Sequence, residues 1–169
     1  MYRNFLLILL IPFLAGCQNS IKNLTTTTKS VGDIAYDNTT DKKDFILCDS
    51  NNIKQYHNNQ KGLEYKGEKI AIVEEFSQNY VPVKCSNCDG LIRIRFIVNC
   101  KGETDRFRVI SMNEEYEEIT FNSKITQQLL TICKRLNGWV PKKIEGKEID
   151  YYQYLIFKIN DGQIIEIMP

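Results

Sequence analysis

Between Leu91 and Val98, apolar and basic residues alternate: Ile92, Ile94, Phe96 and Val98 fall on one side, and Arg93 and Arg95 on the other. A period of two marks a strand with one buried and one solvated face. Asn99-Cys100-Lys101-Gly102 then supplies turn chemistry, with a glycine free to take a positive φ. The alternation returns through Glu103–Met112, with Phe107 and Val109 on the apolar side and Arg106 and Arg108 on the other. This pattern predicts a β-hairpin. One apolar face must be covered by another layer, so the hairpin commits the chain to a layered fold. A four-residue turn sets Arg95 opposite Arg106 and Arg93 opposite Arg108, and like charges directly opposite are unfavourable.

The flanking sequence supplies the cover. Gly67–Tyr80 places Ile70, Val73, Phe76 and Tyr80 at helical spacing with Ile72 beside them, and Val81-Pro82-Val83 ends that helix. Asn122 or Ser123 can cap a second helix running to about Leu136, with a buried stripe of Ile125, Leu129, Ile132, Cys133 and Leu136. Asn137-Gly138 stops it, and Glu145-Gly146-Lys147 forms a later turn. Asp150–Ile159 reads as a strand with Leu155, Phe157 and Ile159 inward and Tyr152, Tyr154 and Ile156 on the opposite face. Asn160-Asp161-Gly162 is a hairpin turn, and Gln163–Met168 a last short strand. The predicted order is α-β-β-α-β-β. This is an α+β fold with an antiparallel sheet of three to four strands and two helices on one face.

The first residues address compartment. Arg3 lies in a short positive segment, Phe5–Leu14 is an apolar run, and Leu14-Ala15-Gly16-Cys17 follows. The run is too short to span a bilayer comfortably. Leu14–Cys17 resembles the lipobox of bacterial lipoproteins. That resemblance implies cleavage after Gly16 and lipidation of Cys17; an ordinary signal peptide is the competing reading. Acyl chains would then anchor the protein to the membrane, each buried methylene contributing about 0.8 kcal/mol. No acidic cluster follows Cys17, which favours an outer-membrane anchor facing the periplasm. Residues 1–16 thus read as a signal peptide and 17–44 as a lipidated flexible tether, since that stretch is polar and poor in aromatics. Residues 45–62 form an N-terminal extension with a short apolar patch at Phe45–Cys48 suited to an edge strand, and 63–169 form the domain.

The ordered motifs of that domain carry a second resemblance. Tyr65-Lys66-Gly67 before the first helix, Tyr80-Val81-Pro82 after it, Gly90 with the hairpin to Gly102, and Trp139-x-Pro141 with Gly146-Lys147 and Phe157 are together similar to TonB C-terminal domains. The resemblance covers residues 65 to about 160. It implies a lipid-anchored envelope protein whose domain is a non-enzymatic protein-interaction module. An accessory role in TonB-dependent transport across the outer membrane is the nearest alternative. In that family's strand order the Tyr152/Tyr154 strand lies beside Arg93 and Arg95, where arginine over tyrosine is a favourable cation–π arrangement. The four arginines with Tyr152 and Tyr154 are either a solvated face or a docking surface for an anionic envelope partner. The family also binds peptides by strand addition at a sheet edge, which Gln163–Met168 would occupy here.

Cys48, Cys85, Cys88, Cys100 and Cys133 remain after Cys17. Cys100 sits at the hairpin tip and Cys133 near the end of the returning helix, so the expected topology pairs them. It pairs Cys48 with Cys85 or Cys88 and leaves one thiol over. Cys85-Ser86-Asn87-Cys88 also permits a thiol–disulfide active site or a zinc site. A strand rather than a helix follows it, and a second ligand pair is missing, so a structural disulfide is preferred.

The rest of the composition narrows function. Lys plus Arg is 22 against 21 for Asp plus Glu, without the basic excess of a nucleic-acid binder. His57 is the single histidine, set among Asn and Gln in a polar loop. The sequence holds no Ser/His/Asp arrangement, no distinctively spaced carboxylate pair and no phosphate loop. Glu114–Glu118 lacks a calcium-loop pattern. The expectation is therefore no enzyme, no cofactor and no metal.

Overall fold

The computed structural model describes residues 32–55, 63–85 and 88–168. The chain divides into Met1–Asp33, of which only Gly32 and Asp33 are described, and Ile34–Pro169, which carries every element. Cys17, His57, Ser86 and Asn87 lie outside the described residues.

The elements run α1 (Glu68–Asn79), β1 (Gly90–Val98), β2 (Thr104–Met112), α2 (Ser123–Arg135), β3 (Lys142–Ile144), β4 (Lys147–Ile149), β5 (Tyr151–Asn160) and β6 (Gln163–Met168). The expected α+β order is present, with a small β3–β4 hairpin added at the Glu145-Gly146 turn. The main sheet is four-stranded and antiparallel, in the order β2-β1-β5-β6.

Both helices cover one face. Ile92, Ile94, Phe96 and Val98 of β1 and Leu155, Phe157 and Ile159 of β5 pack with Ile72 and Phe76 of α1. Ile125, Leu129, Ile132 and Cys133 of α2 complete this core. Asn122 caps α2, its Oδ1 accepting from Lys124 N–H at 2.9 Å. Phe96 stacks on Phe107 across the hairpin with ring centroids 4.9 Å apart. Tyr65 meets Trp139 edge-on at 4.9 Å, and Gly138 lets the Tyr65 ring lie against its backbone.

Three local expectations need correction. The α1 stripe is Ile72 and Phe76, while Ile70 and Val73 are 72% and 41% exposed. Both sets have helical spacing, and only the sheet's position chooses between them. The hairpin register is also shifted. Val98 pairs with Thr104 and Ile97 with Asp105, and then a bulge at Arg106, with φ of 57°, moves the pairing on. Arg95 therefore faces Arg108 and Arg93 faces Ile110, not Arg106 and Arg108.

The third correction concerns the segment expected as a tether. Residues 34–55 form a strap over the sheet face opposite the helices. Ile34, Ile97 and Tyr152 make a second apolar cluster, flanked by Phe45, Leu47 and Ile53. Phe45–Cys48 packs as part of this strap and is not a strand. Polar contacts fix it. Asp41 is 8% exposed and grips Arg108, Lys42 N–H donates to Asp105 Oδ2 at 2.8 Å, and Asn99 Nδ2 donates to Ile46 O at 3.0 Å. Composition misses such a segment because a few scattered apolar residues and hydrogen bonds to distant residues hold it together.

Candidate functional site

The alternation of β1 and β5 brings the arginines and tyrosines together as expected. Arg93 lies 4.7 Å from the Tyr154 ring centroid and Arg95 lies 4.4 Å from that of Tyr152. The pairs are diagonal across the strands, because Arg95 is in register with Tyr154. The strap then takes up much of this face. Asp41 Oδ1 and Oδ2 accept from Arg108 Nη1 and Nη2 at 2.7 and 2.8 Å, and Arg108 Nη2 also donates to Ala35 O at 2.6 Å. These hydrogen bonds hold the Asp41 carboxyl below the ordinary carboxylate range and push the Arg108 guanidinium further up. Arg106 lies over Tyr36, and Arg95 donates to Gln55 at 3.1 Å. From Asp37 to Asp49 the chain has four Asp against two Lys. Of the four arginines, Arg108 thus receives an anionic partner from the chain itself, while Arg93, Arg95 and Arg106 contact tyrosine rings or the neutral Gln55. Arg93 keeps a buried Nε with no hydrogen-bond partner among the described residues.

The cysteines pair differently from expectation. Cys48 is bonded to Cys100, and Cys85 to Cys88. Among the described residues Cys133 is the free thiol, and it is fully buried. The Cys100–Cys133 expectation fails because Cys133 belongs to the inward stripe of α2, while the strap brings Cys48 to the hairpin tip. Desolvation pushes the Cys133 thiol far above the ordinary range, so it is an inert core residue. Asp150 organises the junction: its Oδ1 accepts from Cys100 N–H at 3.0 Å and its Oδ2 from Asp49 N–H at 2.8 Å.

Cys85–Cys88 sits where the chain from α1 passes the β5–β6 turn. Val83 N–H donates to Gly162 O at 3.2 Å, and Tyr80 OH donates to the same oxygen at 2.8 Å. Gly162 has φ of +68°, and a Cβ there would collide with Val83 O. Asp89 Oδ1 accepts from Asp161 N–H at 2.6 Å and closes the corner.

A cleft that the sequence did not reveal opens between α1 and β6. It has a volume of about 470 Å³ and is lined by Val73, Phe76, Tyr80, Pro82, Ile164 and Ile165, with Lys69 and Glu166 at its rim. β6 pairs with β5, as expected, and its other edge carries no strand among the described residues. Ile165 is 57% exposed beside that edge, and Val81 and Ile70 are exposed nearby in the sequence of α1 and its exit. The signal was present in the α1 residues with helical spacing that the core did not use.

No protein-family model, no curated protein and no solved structure matches this chain.

Proposed function

We propose that this is a lipid-anchored cell-envelope protein whose TonB C-terminal-like domain acts as a non-enzymatic protein-interaction module. The observation that carries the reading is the apolar cleft between α1 and β6, set beside a strand edge that no strand covers among the described residues. An edge offers main-chain hydrogen bonds to an extended partner, and adjoining apolar pockets select its alternate side chains. The two disulfides fit an oxidising compartment, as does the lipobox-like leader ending at Cys17. The covered Arg/Tyr face makes the cleft the better docking surface of the two.

The test is co-purification from detergent-solubilised envelopes. Ile165→Lys and Val73→Lys alter exposed positions and should leave the fold intact, as checked by circular dichroism. Each is expected to remove partners retained by the unsubstituted protein. Identical partner sets for the unsubstituted and both substituted proteins would sink the reading. If the retained partner is an outer-membrane receptor, the module belongs to TonB-dependent transport.

A second reading rests on the half-buried Cys85 of the Cys85–Cys88 disulfide. On that reading the protein exchanges disulfides with envelope substrates. A mixed disulfide trapped by Cys88→Ser would favour it; trapping with neither Cys85→Ser nor Cys88→Ser would remove it.

A further inference from the structure

The junction of Cys48, Cys100 and Asp150 has a chemistry that neither docking nor Cys85–Cys88 uses. The two sulfurs and a carboxylate oxygen lie within 4.8 Å of one another, and Asp150 is fully buried. Backbone N–H groups of Cys100 and Asp49 hold the carboxylate, so the segments carrying the two cysteines also aim it. We propose that, once the Cys48–Cys100 disulfide is reduced, Cys48, Cys100 and Asp150 form a zinc site with a fourth position open to water.

Geometry and preorganisation support this. Tetrahedral zinc takes thiolates at about 2.3 Å and carboxylate oxygen at about 2.0–2.2 Å, so its ligand atoms stand about 3.3–3.8 Å apart. The three donor atoms lie within 4.8 Å of one another, and breaking the S–S bond frees the two sulfurs to move apart to that spacing. The strap does not depend on the disulfide alone for its place. Lys54 N–H donates to Asp150 O and Tyr152 N–H to Lys54 O, both at 2.9 Å, and Asn99 holds Ile46. The thiols therefore stay together after reduction. Backbone hydrogen bonds that orient a ligating carboxylate are the usual outer support of a metal site. Cys48 is exposed, so the ion can enter from solvent and water can complete its coordination.

The redox step balances simply. A phosphine or dithiol reductant supplies two electrons, two protons are taken up, the S–S bond breaks and two thiols form. Zinc then binds the two sulfurs as thiolates, and two protons pass to solvent. Soft thiolates favour zinc over the hard cations that prefer all-oxygen sites. Disulfide and zinc are mutually exclusive occupants, so metal content would report the redox state of the strap.

The test uses the full chain carrying Cys17→Ser, Cys85→Ser and Cys88→Ser, which leaves Cys48, Cys100 and the inaccessible Cys133. After reduction with a phosphine, cobalt is added and then displaced with zinc. The expected result is one equivalent of cobalt with thiolate-to-metal charge-transfer absorption, displaced by one equivalent of zinc. The oxidised protein is expected to give no such absorption. Cys48→Ser, at an exposed position, should remove the absorption. Asp150→Asn, which removes the negative charge and keeps an acceptor for only one of the two N–H groups, should weaken zinc binding at least about tenfold. Absence of stoichiometric binding in the reduced protein overturns the proposal, as does binding unchanged by either substitution.

Discussion

Removing the two disulfides separately should have unequal effects, because they close loops of different size. Cys48 and Cys100 are 52 residues apart, and Cys85 and Cys88 only 3. In the chain-entropy model these separations correspond to about 4 kcal/mol and about 1.6 kcal/mol at 25 °C. The first is a large share of the roughly 5–15 kcal/mol by which domains are stable. The perturbations are Cys48→Ser with Cys100→Ala, and Cys85→Ser with Cys88→Ser. Urea unfolding can be followed through Trp139, the single tryptophan, which is 2% exposed in the native state. The first variant should lose about 2.4 kcal/mol more than the second. Its denatured chain is also less constrained, so the urea dependence should steepen. Cys133→Ala is the control: it removes a small buried side chain but no cross-link, and should leave that dependence unchanged. Equal losses for the two double variants would refute the loop argument. A Cys100–Cys133 peptide in a digest of unreduced protein would refute the pairing itself.

Further expectations concern the strap, the corner at Gly162, Cys133 and the proposed lipid anchor. Asp41→Ala removes two charge-assisted hydrogen bonds to a partly exposed Arg108 and should weaken the strap by about 2 kcal/mol, read as faster amide exchange over residues 34–44. Because Arg108 holds the Asp41 carboxyl below its ordinary value of 3.8, this contribution is complete above that pH and is lost as pH falls through the lower native value; exchange should accelerate only in acid. Gly162→Ala places a Cβ against Val83 O at a positive φ and should cost about 2 kcal/mol or more, measured by thermal unfolding. Cys133 should resist alkylation in native protein and react only on unfolding, as its burial requires. Cys17→Ser should abolish incorporation of labelled palmitate and move the protein from the membrane to the soluble fraction.

The parts of the fold legible in the sequence were those fixed by neighbours in the chain. The Ile92–Val98 alternation, the Asn122 cap and the Asn160–Gly162 turn each carry their own geometry, and each appears where expected. The parts that were not legible depend on distant residues. A single extra residue at Arg106 shifts the facing arginines, and nothing local in Arg106 marks it as the bulge. Asp41 looks like any acidic residue of a polar segment until Arg108 is placed beside it. The Arg/Tyr contacts were anticipated, yet their availability was not, because the strap covering them is held by those long-range contacts. The same omission misdirected the cysteines. Without the strap, Cys48 has no route to the hairpin tip, and Cys133 is the nearest apparent partner.

The central claim is that the cleft between α1 and β6 receives a partner in the envelope. Site-specific photocrosslinking in intact cells tests it most directly, with the photoreactive residue at Ile165, at Val73 or, as a control, at the exposed Ile144 of the β3–β4 hairpin. The account predicts a discrete higher-mass adduct from Ile165 and Val73 and none from Ile144. Adducts from Ile144 alone, or none from either cleft position, would contradict it.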